Sequence, residues 1–404
     1  MSAEPAPIDP SASLPEVPYS LSAPARAALD RLGRTEDLRF SPDHGRLALA
    51  GFYSKRVLIL RLRPDPARAA STLQLDEPLE LTTPGLTYPH GLRWVDDRTL
   101  AVADRAGAVY VLPVPAEPGR DRELCVAPLA SLDRSRFELL ESPGSVALVP
   151  IGRDLIEALV CNNYSHRVSQ HLFDRANGFE LVSSSVLLAR DLAIPDGIAC
   201  TADGRWLAVG SHQQHRVLVY PRDATLDLDA RPAATLSGVR FPHGIAFSDD
   251  GRTLFAASAG EPVVQVYRRE GPSWQGEIAP ARTLRVMDDA TFRRGHHRDD
   301  EGGPKGLDLD PARALLACTC ETQPLRFFSI AALVDAPCAA PSGNEIDAVV
   351  RRHLRGQERT RALLAGHYDA PLQTLLASRS WRITAPLRWV RRGLGRWFEE
   401  DAGP

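Results

Sequence analysis

Four Pro-x-Gly motifs place a chemically capable side chain between a proline and a glycine. The four side chains are those of His90, Asp196, His243 and Lys305. Imidazole and carboxylate groups together bind divalent metals or move the protons of a polar ligand. An ammonium group neutralises an acidic group of a ligand or a nearby carboxylate. If these positions converge in space, the sequence predicts a polar ligand site.

Two further segments align with these motifs and put Glu36 and Gly144 at the same position, Glu36 without the preceding proline. The six aligned openings begin at residues 36, 90, 144, 196, 243 and 305, so they recur every 47 to 62 residues. Each opening is followed by a short apolar strand, a turn rich in Asp and Gly, a second strand and a third, alternating strand. A weaker fourth strand fits the gaps, as in STLQLDEPLEL and FELVSSSVLLA.

This repeat predicts an all-β fold, a six-bladed β-propeller with a C-terminal α-helical appendage. A four-stranded blade commonly needs about 40–50 residues. A seventh blade is the main alternative. Residues before Glu36 could supply the strand that closes the ring, although LSAPARAALDRLG has a helical pattern. We therefore predict an N-terminal extension (1–30), a propeller (31–335) and a helical, basic and aromatic tail (336–404).

The propeller prediction gives the Pro-x-Gly positions a common location. The first strand of each blade lines the central channel, so the side chains that open these strands meet at one rim. The sequence therefore predicts that Glu36, His90, Asp196, His243 and Lys305 share the channel mouth and contact a small polar or sugar ligand. Alternatively, these polar side chains cap the strands and face the water of an ordinary channel.

A second group of polar side chains comes from the loops that join the second and third strands of the blades. Such loops usually lie near the same rim. We predict that Asn162, Asn163 and His212 contact the ligand, because amide and imidazole groups bind sugar hydroxyls. Ordinary turn chemistry is the alternative. The full second group is Tyr53, Asp104, Asn162, Asn163, His212 and Glu321.

Composition excludes some classes of function. The net charge is −3 and charged residues make up 25% of the chain, which argues against nucleic-acid binding. The first residues, MSAEPAPIDPSASLPEVP, lack the basic and apolar regions of a secretory signal, and no apolar stretch approaches the length of about 20 residues that spans a bilayer. We expect a cytoplasmic protein with reduced cysteines.

The repeat openings PHGIAFSDDGRTLFAAS and PDGIACTADGRWLAVGS resemble those of six-bladed propellers of the gluconolactonase/regucalcin-like, YVTN lactonase-like and NHL groups. In the gluconolactonase-like proteins a Glu of blade one, two Asn and the Asp of a PDG motif hold a divalent metal. The resemblance implies a Ca, Mg, Mn or Zn ion held by Glu36 and Asp196, which would then be catalytic. The Asn of the usual N-G opening is replaced by Gly144.

The tail has two notable segments. GNEIDAVVRRHLRGQERTRALLAG has helical spacing, with Ile346, Val349, Val350 and Leu354 on one stripe and arginines on the other side. The run SRSWRITAPLRWV resembles the tail of bacterial glycosyltransferases of surface-polysaccharide assembly. Arginines and tryptophans without an acidic residue before Glu399 suit an anionic membrane. We predict peripheral inner-membrane contact through residues 378–398 and glycosyltransferase partners; packing on the propeller is the alternative.

Three functions follow from these patterns. The first is a sugar- or glycan-binding propeller that acts in bacterial cell-surface polysaccharide biosynthesis at the cytoplasmic membrane. The second is a metal-dependent lactonase or other hydrolase with its site at the channel mouth. The third is a scaffold that docks glycosyltransferases through its blade faces.

Overall fold

The computed structural model describes residues 14–65, 72–117, 122–133, 139–296, 301–322, 325–334 and 346–377. The chain divides into two compact units, 1–356 and 357–404. Within the described residues the first unit contains six sheets that follow one another along the chain. These sheets are the blades of a six-bladed β-propeller, as the repeat predicted.

The elements of the first half are as follows. Ahead of the blades come β1 (Tyr19–Leu21) and α1 (Ala23–Leu32). Blade one contains β2 (Thr35–Phe40), β3 (Arg46–Gly51), β4 (Arg56–Pro64) and β5 (Leu73–Thr82). Blade two contains β6 (Pro89–Asp96), β7 (Thr99–Asp104), β8 (Ala108–Pro113), β9 (Glu123–Cys125), which pairs with β5, and β10 (Ala130–Asp133). Blade three contains β11 (Pro143–Ile151), β12 (Leu155–Asn162), β13 (Arg167–Asp174) and β14 (Glu180–Leu188).

The second half continues the pattern. Blade four contains β15 (Pro195–Cys200), β16 (Trp206–Ser211), a 3-10 turn (His212–Gln214), β17 (Arg216–Pro221) and β18 (Ala234–Leu236). Blade five contains β19 (Pro242–Phe247), β20 (Thr253–Ser258), β21 (Val263–Arg268), β22 (Gly276–Ile278), which pairs with β18, and β23 (Arg282–Arg285). After α2 (Asp289–Arg294), blade six contains β24 (Leu307–Asp310), β25 (Leu315–Cys318) and β26 (Arg326–Ser329); α3 (Ile346–Ala377) follows.

The innermost strands form a closed ring. Each of β2, β6, β11, β15, β19 and β24 contacts the next in this order, and β24 contacts β2. The glycine of the Pro-x-Gly opening permits this close packing. A Cβ on Gly244 would lie 2.5 Å from Lys305 O, and one on Gly306 would lie 2.6 Å from Asp37 Cα. Blade six therefore packs directly against blade one.

The N-terminal segment completes blade six. Val17 N donates to Phe327 O at 2.8 Å, and Ser329 N donates to Pro15 O at 2.9 Å, so residues 15–17 run antiparallel to β26. Residues 14–30, which the sequence assigned to an extension, thus contribute to the ring. The expected closing strand and the expected helix α1 are both present, one after the other.

The hydrophobic core is divided into six wedges, one between each pair of successive blades. One wedge joins Leu49 of blade one to Phe327 of blade six, and another joins Leu159 of blade three to Val209 of blade four. The other four wedges are also built mainly of Leu, Val and Ala side chains, with a few aromatic residues. Because each blade is apolar on both faces, its strands read as apolar runs with few polar interruptions.

The first turns of α3 bury a charged face. Arg352 and His353 are buried, whereas Val350 and Leu354 of the predicted apolar stripe are exposed. Arg352 and His353 contact the buried Glu157 of β12, which Arg222 of blade four also contacts. We call these four residues the Glu157 cluster. Of the predicted stripe, Val349 is buried, and Arg352 is buried as well because Glu157 provides it with a partner.

Candidate functional site

The ring of inner strands brings the predicted side chains together at one rim of the channel. Glu36 Oε2 lies 3.5 Å from His90 Nε2, 3.5 Å from His243 Nε2 and 3.4 Å from Lys305 Nζ. His243 Nε2 lies 3.7 Å from Asp196 Oδ2. All five side chains are buried. The geometric expectation on which the site depends is therefore met.

Backbone contacts between blades fix the two imidazoles. His90 Nδ1 lies 2.6 Å from Gly144 O, the backbone of the next blade. The ring centroids of His90 and His243 are 5.1 Å apart with the planes inclined by 27°, so the rings are stacked. Gly197, at φ +84°, allows the His243 carbonyl to approach, since a Cβ there would lie 1.7 Å from His243 O.

Burial and charge set the protonation of this group. Burial alone would raise the pKa of Glu36, but nearby cations, above all the Lys305 ammonium, hold it well below its ordinary value. Burial, assisted by the Arg105 charge, lowers the pKa of His90 to about 3. Burial opposes the charge of Lys305, yet Glu36 and Glu301 raise its pKa overall. Near neutral pH, Glu36 is an anion, His90 a neutral imidazole and Lys305 a cation.

Asp196 is held by donors of the neighbouring blades. Its Oδ2 accepts from Arg105 Nη2 at 2.9 Å and from Asn163 Nδ2 at 3.0 Å, and its Oδ1 accepts from Ser145 Oγ at 3.2 Å. Burial would raise the pKa of Asp196, but the neighbouring cationic and imidazole groups, led by His243, hold it below its ordinary value. Gly144 leaves room for this arrangement, because a Cβ there would lie 2.1 Å from Asn163 Oδ1.

Three charged side chains outside the two predicted groups also line the mouth. They are Arg34, Arg105 and Glu301. Arg34 Nε contacts Glu36 Oε1, and Glu301 Oε2 lies 3.1 Å from Lys305 Nζ. Arg105 follows the second strand of its blade directly, the loop position that supplied the predicted second group. Glu301 comes from the insertion before blade six, GHHRDDEGG, whose residues 297–300 lie outside the described part of the chain.

The predicted second group divides into two sets. His212 lines the mouth, with Nε2 3.0 Å from Glu301 Oε1 and Nδ1 3.2 Å from Pro242 O. Tyr53 lines the mouth, and Glu321 reaches Lys305 Nζ at 3.2 Å. Asn163 acts through Asp196, as described above.

Asp104 and Asn162 instead accept hydrogen bonds from backbone N–H groups. Asp104 accepts from the N–H groups of Thr87, Tyr88 and Ala106. Asn162 accepts from Glu141 N at 3.0 Å and donates to Ser169 Oγ at 2.9 Å. Neither lines the cavity at the mouth. The turn chemistry given as the alternative accounts for the contacts of both side chains.

The mouth encloses a cavity of about 170 Å³. Its floor is polar and its rim is aromatic. Tyr53 and Tyr164 line it and are 64% and 59% exposed, although few aromatic side chains of the described residues are exposed. Arg39 closes the channel beneath, since its guanidinium donates to Leu92 O of blade two and Leu307 O of blade six.

A metal would find one compact group of ligand atoms among the described residues. Glu36, His90 and His243 each offer one atom, and these atoms lie within 4.8 Å of one another. Asp196, which the resemblance implied as a metal ligand together with Glu36, is outside this group. Its oxygens already accept three hydrogen bonds, which leaves them little capacity to coordinate an ion.

Comparison with known proteins agrees with the architecture. A family model described as the lipoprotein LpqB beta-propeller domain matches residues 11–135. No curated protein matches the chain. Among solved structures, the chain is similar to a Bacteroides fragilis protein provisionally described as a 6-phosphogluconolactonase, with 15% identity, a TM-score of 0.47, and 73% of this chain and 79% of that chain covered. The protein is a six-bladed β-propeller, and these matches do not extend to its activity.

Proposed function

We propose that the protein binds one small polar ligand, of the size of a single sugar ring, at the mouth of the propeller channel. The observation that carries the proposal is the cavity itself, which joins a floor of buried charged groups to a rim of exposed tyrosines. Pockets that combine apolar walls with a few convergent polar groups are the usual form of small-molecule sites.

The volume of the cavity sets the size of the ligand. An apolar cavity of about 150 Å³ admits one benzene molecule. The cavity of about 170 Å³ at the mouth therefore accommodates one six-membered ring with its substituents. A chain of several sugars would extend past the rim into solvent.

The floor of the cavity is suited to hydroxyl and acidic groups. Arg105 lines the cavity, and its Nε is buried without a hydrogen-bond partner within the described chain. A buried polar atom without a partner costs about 1–3 kcal/mol, and a ligand that supplies the partner recovers this energy. The Arg105 guanidinium therefore requires an acceptor, such as a hydroxyl or carboxylate oxygen of the ligand.

The rim supplies apolar contact. Phe52 packs edge-on against Tyr53 at 5.1 Å between ring centroids and stacks on Tyr88 at 5.1 Å. Arg34 lies over Phe52, 4.9 Å from the ring centroid. Tyr53 and Tyr164 thus present rigid aromatic surfaces beside a charged floor, which suits a ring with one apolar face and polar edges.

Calorimetric titration with a panel of monosaccharides, sugar acids and sugar lactones tests this proposal. We expect Tyr53→Ala and Tyr164→Ala each to weaken binding about 2–10-fold, the equivalent of one aromatic contact of about 0.5–1.5 kcal/mol. Leu129→Ala is the matched control, because Leu129 is exposed and does not line the cavity. Binding that is unaffected by both tyrosine variants, or equally weakened by the control, would place the ligand elsewhere.

Hydrolysis of an ester or lactone is a second candidate. The grouping of Glu36, His90 and His243 beside the cavity favours it, because metal-bound water is a strong nucleophile near neutral pH. Lactone opening that is abolished by a chelator, restored by a divalent ion and missing in Glu36→Gln is the expected result. Turnover that persists in the chelated protein would remove the metal-dependent form of this proposal.

The cellular setting stays a prediction from the sequence. Residues 378–398, which carry the predicted membrane contact and the resemblance to glycosyltransferase tails, lie outside the described residues. Within the described residues, no helix is long and apolar enough to cross a membrane. We propose the polysaccharide setting, the glycosyltransferase partners and the scaffold role on the sequence alone; removal of residues 378–404 is expected to release the protein from sedimented membranes.

A further inference from the structure

The two oxygens of the Glu36 carboxylate differ: one accepts a hydrogen bond and the other does not. Oε1 accepts from Arg34 Nε, whereas Oε2 is fully buried without a hydrogen-bond partner. Two imidazole nitrogens and one ammonium surround Oε2 at 3.4–3.5 Å. Hydrogen bonds of this type have lengths of about 2.7–3.2 Å, so none of the three neighbours satisfies Oε2.

The orientation of His90 makes this arrangement informative. Its Nδ1 lies 2.6 Å from Gly144 O, and a carbonyl oxygen only accepts, so Nδ1 carries a hydrogen. In the neutral imidazole the lone pair is then on Nε2, and it faces Glu36 Oε2. A histidine that donates one N–H to a backbone carbonyl and offers the other nitrogen is the usual arrangement of a metal ligand.

We propose that Glu36 Oε2, His90 Nε2 and His243 Nε2 bind one divalent transition-metal ion, such as Zn²⁺. The inference deepens the proposed function, because two of the three ligands, His90 and His243, line the same cavity. Two bonds of about 2.1 Å to an ion at tetrahedral angles separate their ligand atoms by about 3.4 Å. The observed separation of 3.5 Å between Oε2 and each imidazole nitrogen matches this value.

The ligand types define the class of ion. Two imidazoles and one carboxylate suit Zn²⁺ and neighbouring transition metals, whereas Ca²⁺ and Mg²⁺ prefer oxygen ligands throughout. Three protein ligands also leave a coordination position for water or substrate. Because His90 and His243 both line the cavity, a ligand in the cavity can reach an ion held between them.

The surrounding charges accommodate the ion. Lys305 Nζ lies closer to Glu301 and Glu321, at 3.1 and 3.2 Å, than to Glu36 at 3.4 Å. These two carboxylates can therefore retain the ammonium when an ion occupies the third side. Asp196 adds negative charge beside His243 without acting as a ligand, since its oxygens accept from Ser145, Arg105 and Asn163.

Titration of the chelator-treated full-length protein with ZnCl₂ alone tests the site. We expect one equivalent to bind, and Glu36→Gln, His90→Gln and His243→Gln each to weaken binding by more than the about 10–100-fold typical of a lost supporting contact. Elemental analysis and the rise in melting temperature on Zn²⁺ addition provide second readouts for each variant. A variant that fails to fold is identified by its circular dichroism spectrum, and the remaining two then decide.

Two further variants make the test specific. His171→Gln alters a buried imidazole that is hydrogen-bonded to serines on both nitrogens, so Zn²⁺ binding is expected to be unchanged. Asp196→Asn removes a nearby charge but no ligand atom, so it is expected to weaken Zn²⁺ binding less than any of the three ligand variants. The proposal is overturned if Asp196→Asn abolishes binding while His90→Gln and His243→Gln retain it, or if no variant changes it. If the protein binds sugars but not Zn²⁺, the metal site is refuted and the proposed function stands. If it binds Zn²⁺ but no sugar, the proposed function is refuted and the metal site stands.

Discussion

The channel mouth and the Glu157 cluster are both buried groups of acidic, basic and imidazole side chains. They differ in whether both oxygens of the central carboxylate accept hydrogen bonds. At Glu157, Arg352 Nη2 lies 2.6 and 2.8 Å from the two oxygens and His353 Nε2 lies 2.8 Å from Oε1; Arg222 donates to Oε2 as well. At Glu36, one oxygen lacks a hydrogen-bond partner and has only the longer contacts of 3.4–3.5 Å to His90, His243 and Lys305. A saturated buried carboxylate holds structure together, whereas an unsaturated one beside a cavity is available to a ligand.

Electrostatics follow the same division. Burial would raise the pKa of Glu157, but Arg352 and then Arg222 hold it well below its ordinary value. These charges are committed to Glu157, since Arg352, Arg222 and His353 all contact its oxygens directly. At the mouth, Arg34, Arg105 and Lys305 face both carboxylates and the cavity. Their contacts can therefore be exchanged for contacts to a ligand.

Glu157→Gln is expected to cause the largest loss of stability. It removes the carboxylate that Arg222, Arg352 and His353 share, and breaking a buried ion pair costs about 3–5 kcal/mol. The free energy of unfolding from denaturant titration measures the effect. Glu77→Gln is the matched control, because Glu77 also contacts two arginines but is partly exposed, so its loss should cost at most about 1 kcal/mol. Equal losses would show that burial of the cluster contributes little.

Gly144→Ala is expected to have the next largest effect and to act at the mouth. The added Cβ would lie 2.1 Å from Asn163 Oδ1 and 2.8 Å from Asp196 Oδ1, so both side chains must shift. Overpacking of this kind costs about 1–3 kcal/mol. Ligand binding at the mouth should weaken in parallel, as calorimetry would report. Gly271→Ala, at a position with open space, should change neither quantity. A neutral Gly144→Ala would indicate that the mouth is loosely packed.

The sequence predicted the propeller because every blade repeats the same local chemistry. The Pro-x-Gly opening, the Asp- and Gly-containing turn and the alternating third strand can each be recognised without knowledge of the other blades. For the same reason it predicted which side chains share the mouth, including Glu36, which lacks the proline. Six equivalent openings around one axis leave little freedom in where their side chains meet.

The sequence could not predict contacts that join unrelated positions. Arg352 lies 195 residues from Glu157, and nothing in the helical pattern distinguishes it from the exposed arginines beside it. Arg34 and Arg105 resemble many surface arginines until the ring places Glu36 and Asp196 against them. The saturation of Asp196 and the partnerless Oε2 of Glu36 depend on distances within the assembled mouth, so the choice of metal ligands required the structure.

Acid should lower the free energy of unfolding through His171 and Glu157. Burial lowers the pKa of His171 to about 3, whereas an unfolded histidine titrates near 6.5. Between these values only the unfolded state gains the proton, so stability falls as the pH drops below about 6.5 by at most about 1.4 kcal/mol per pH unit. Glu157, whose pKa is also lowered on folding, adds to the loss only below its unfolded pKa of about 4.5.

His171→Gln isolates this contribution. His171 contacts Ser169 and Ser184 through its two nitrogens, and the groups whose charges act on it are His353 and Glu157. The variant should lose about 1 kcal/mol at pH 8 through weakened hydrogen bonds, and its stability should then fall less steeply than that of the wild type between pH 6.5 and 4.5. Denaturant titration across this range gives both slopes. Parallel slopes would mean that His171 already carries its proton in the folded protein.

Glu36→Gln should have the smallest effect on the stability of the metal-free protein, a loss of about 1 kcal/mol or less. Because Lys305 and Arg34 favour the Glu36 anion in the folded protein, removal of the charge is destabilising. The loss is limited because Lys305 keeps Glu301 and Glu321, and Arg34 keeps Glu321. If Glu36→Gln destabilises the chelated protein as much as Glu157→Gln, then Glu36 is a structural anchor like Glu157, and the contrast between the two clusters no longer identifies the mouth as the working site.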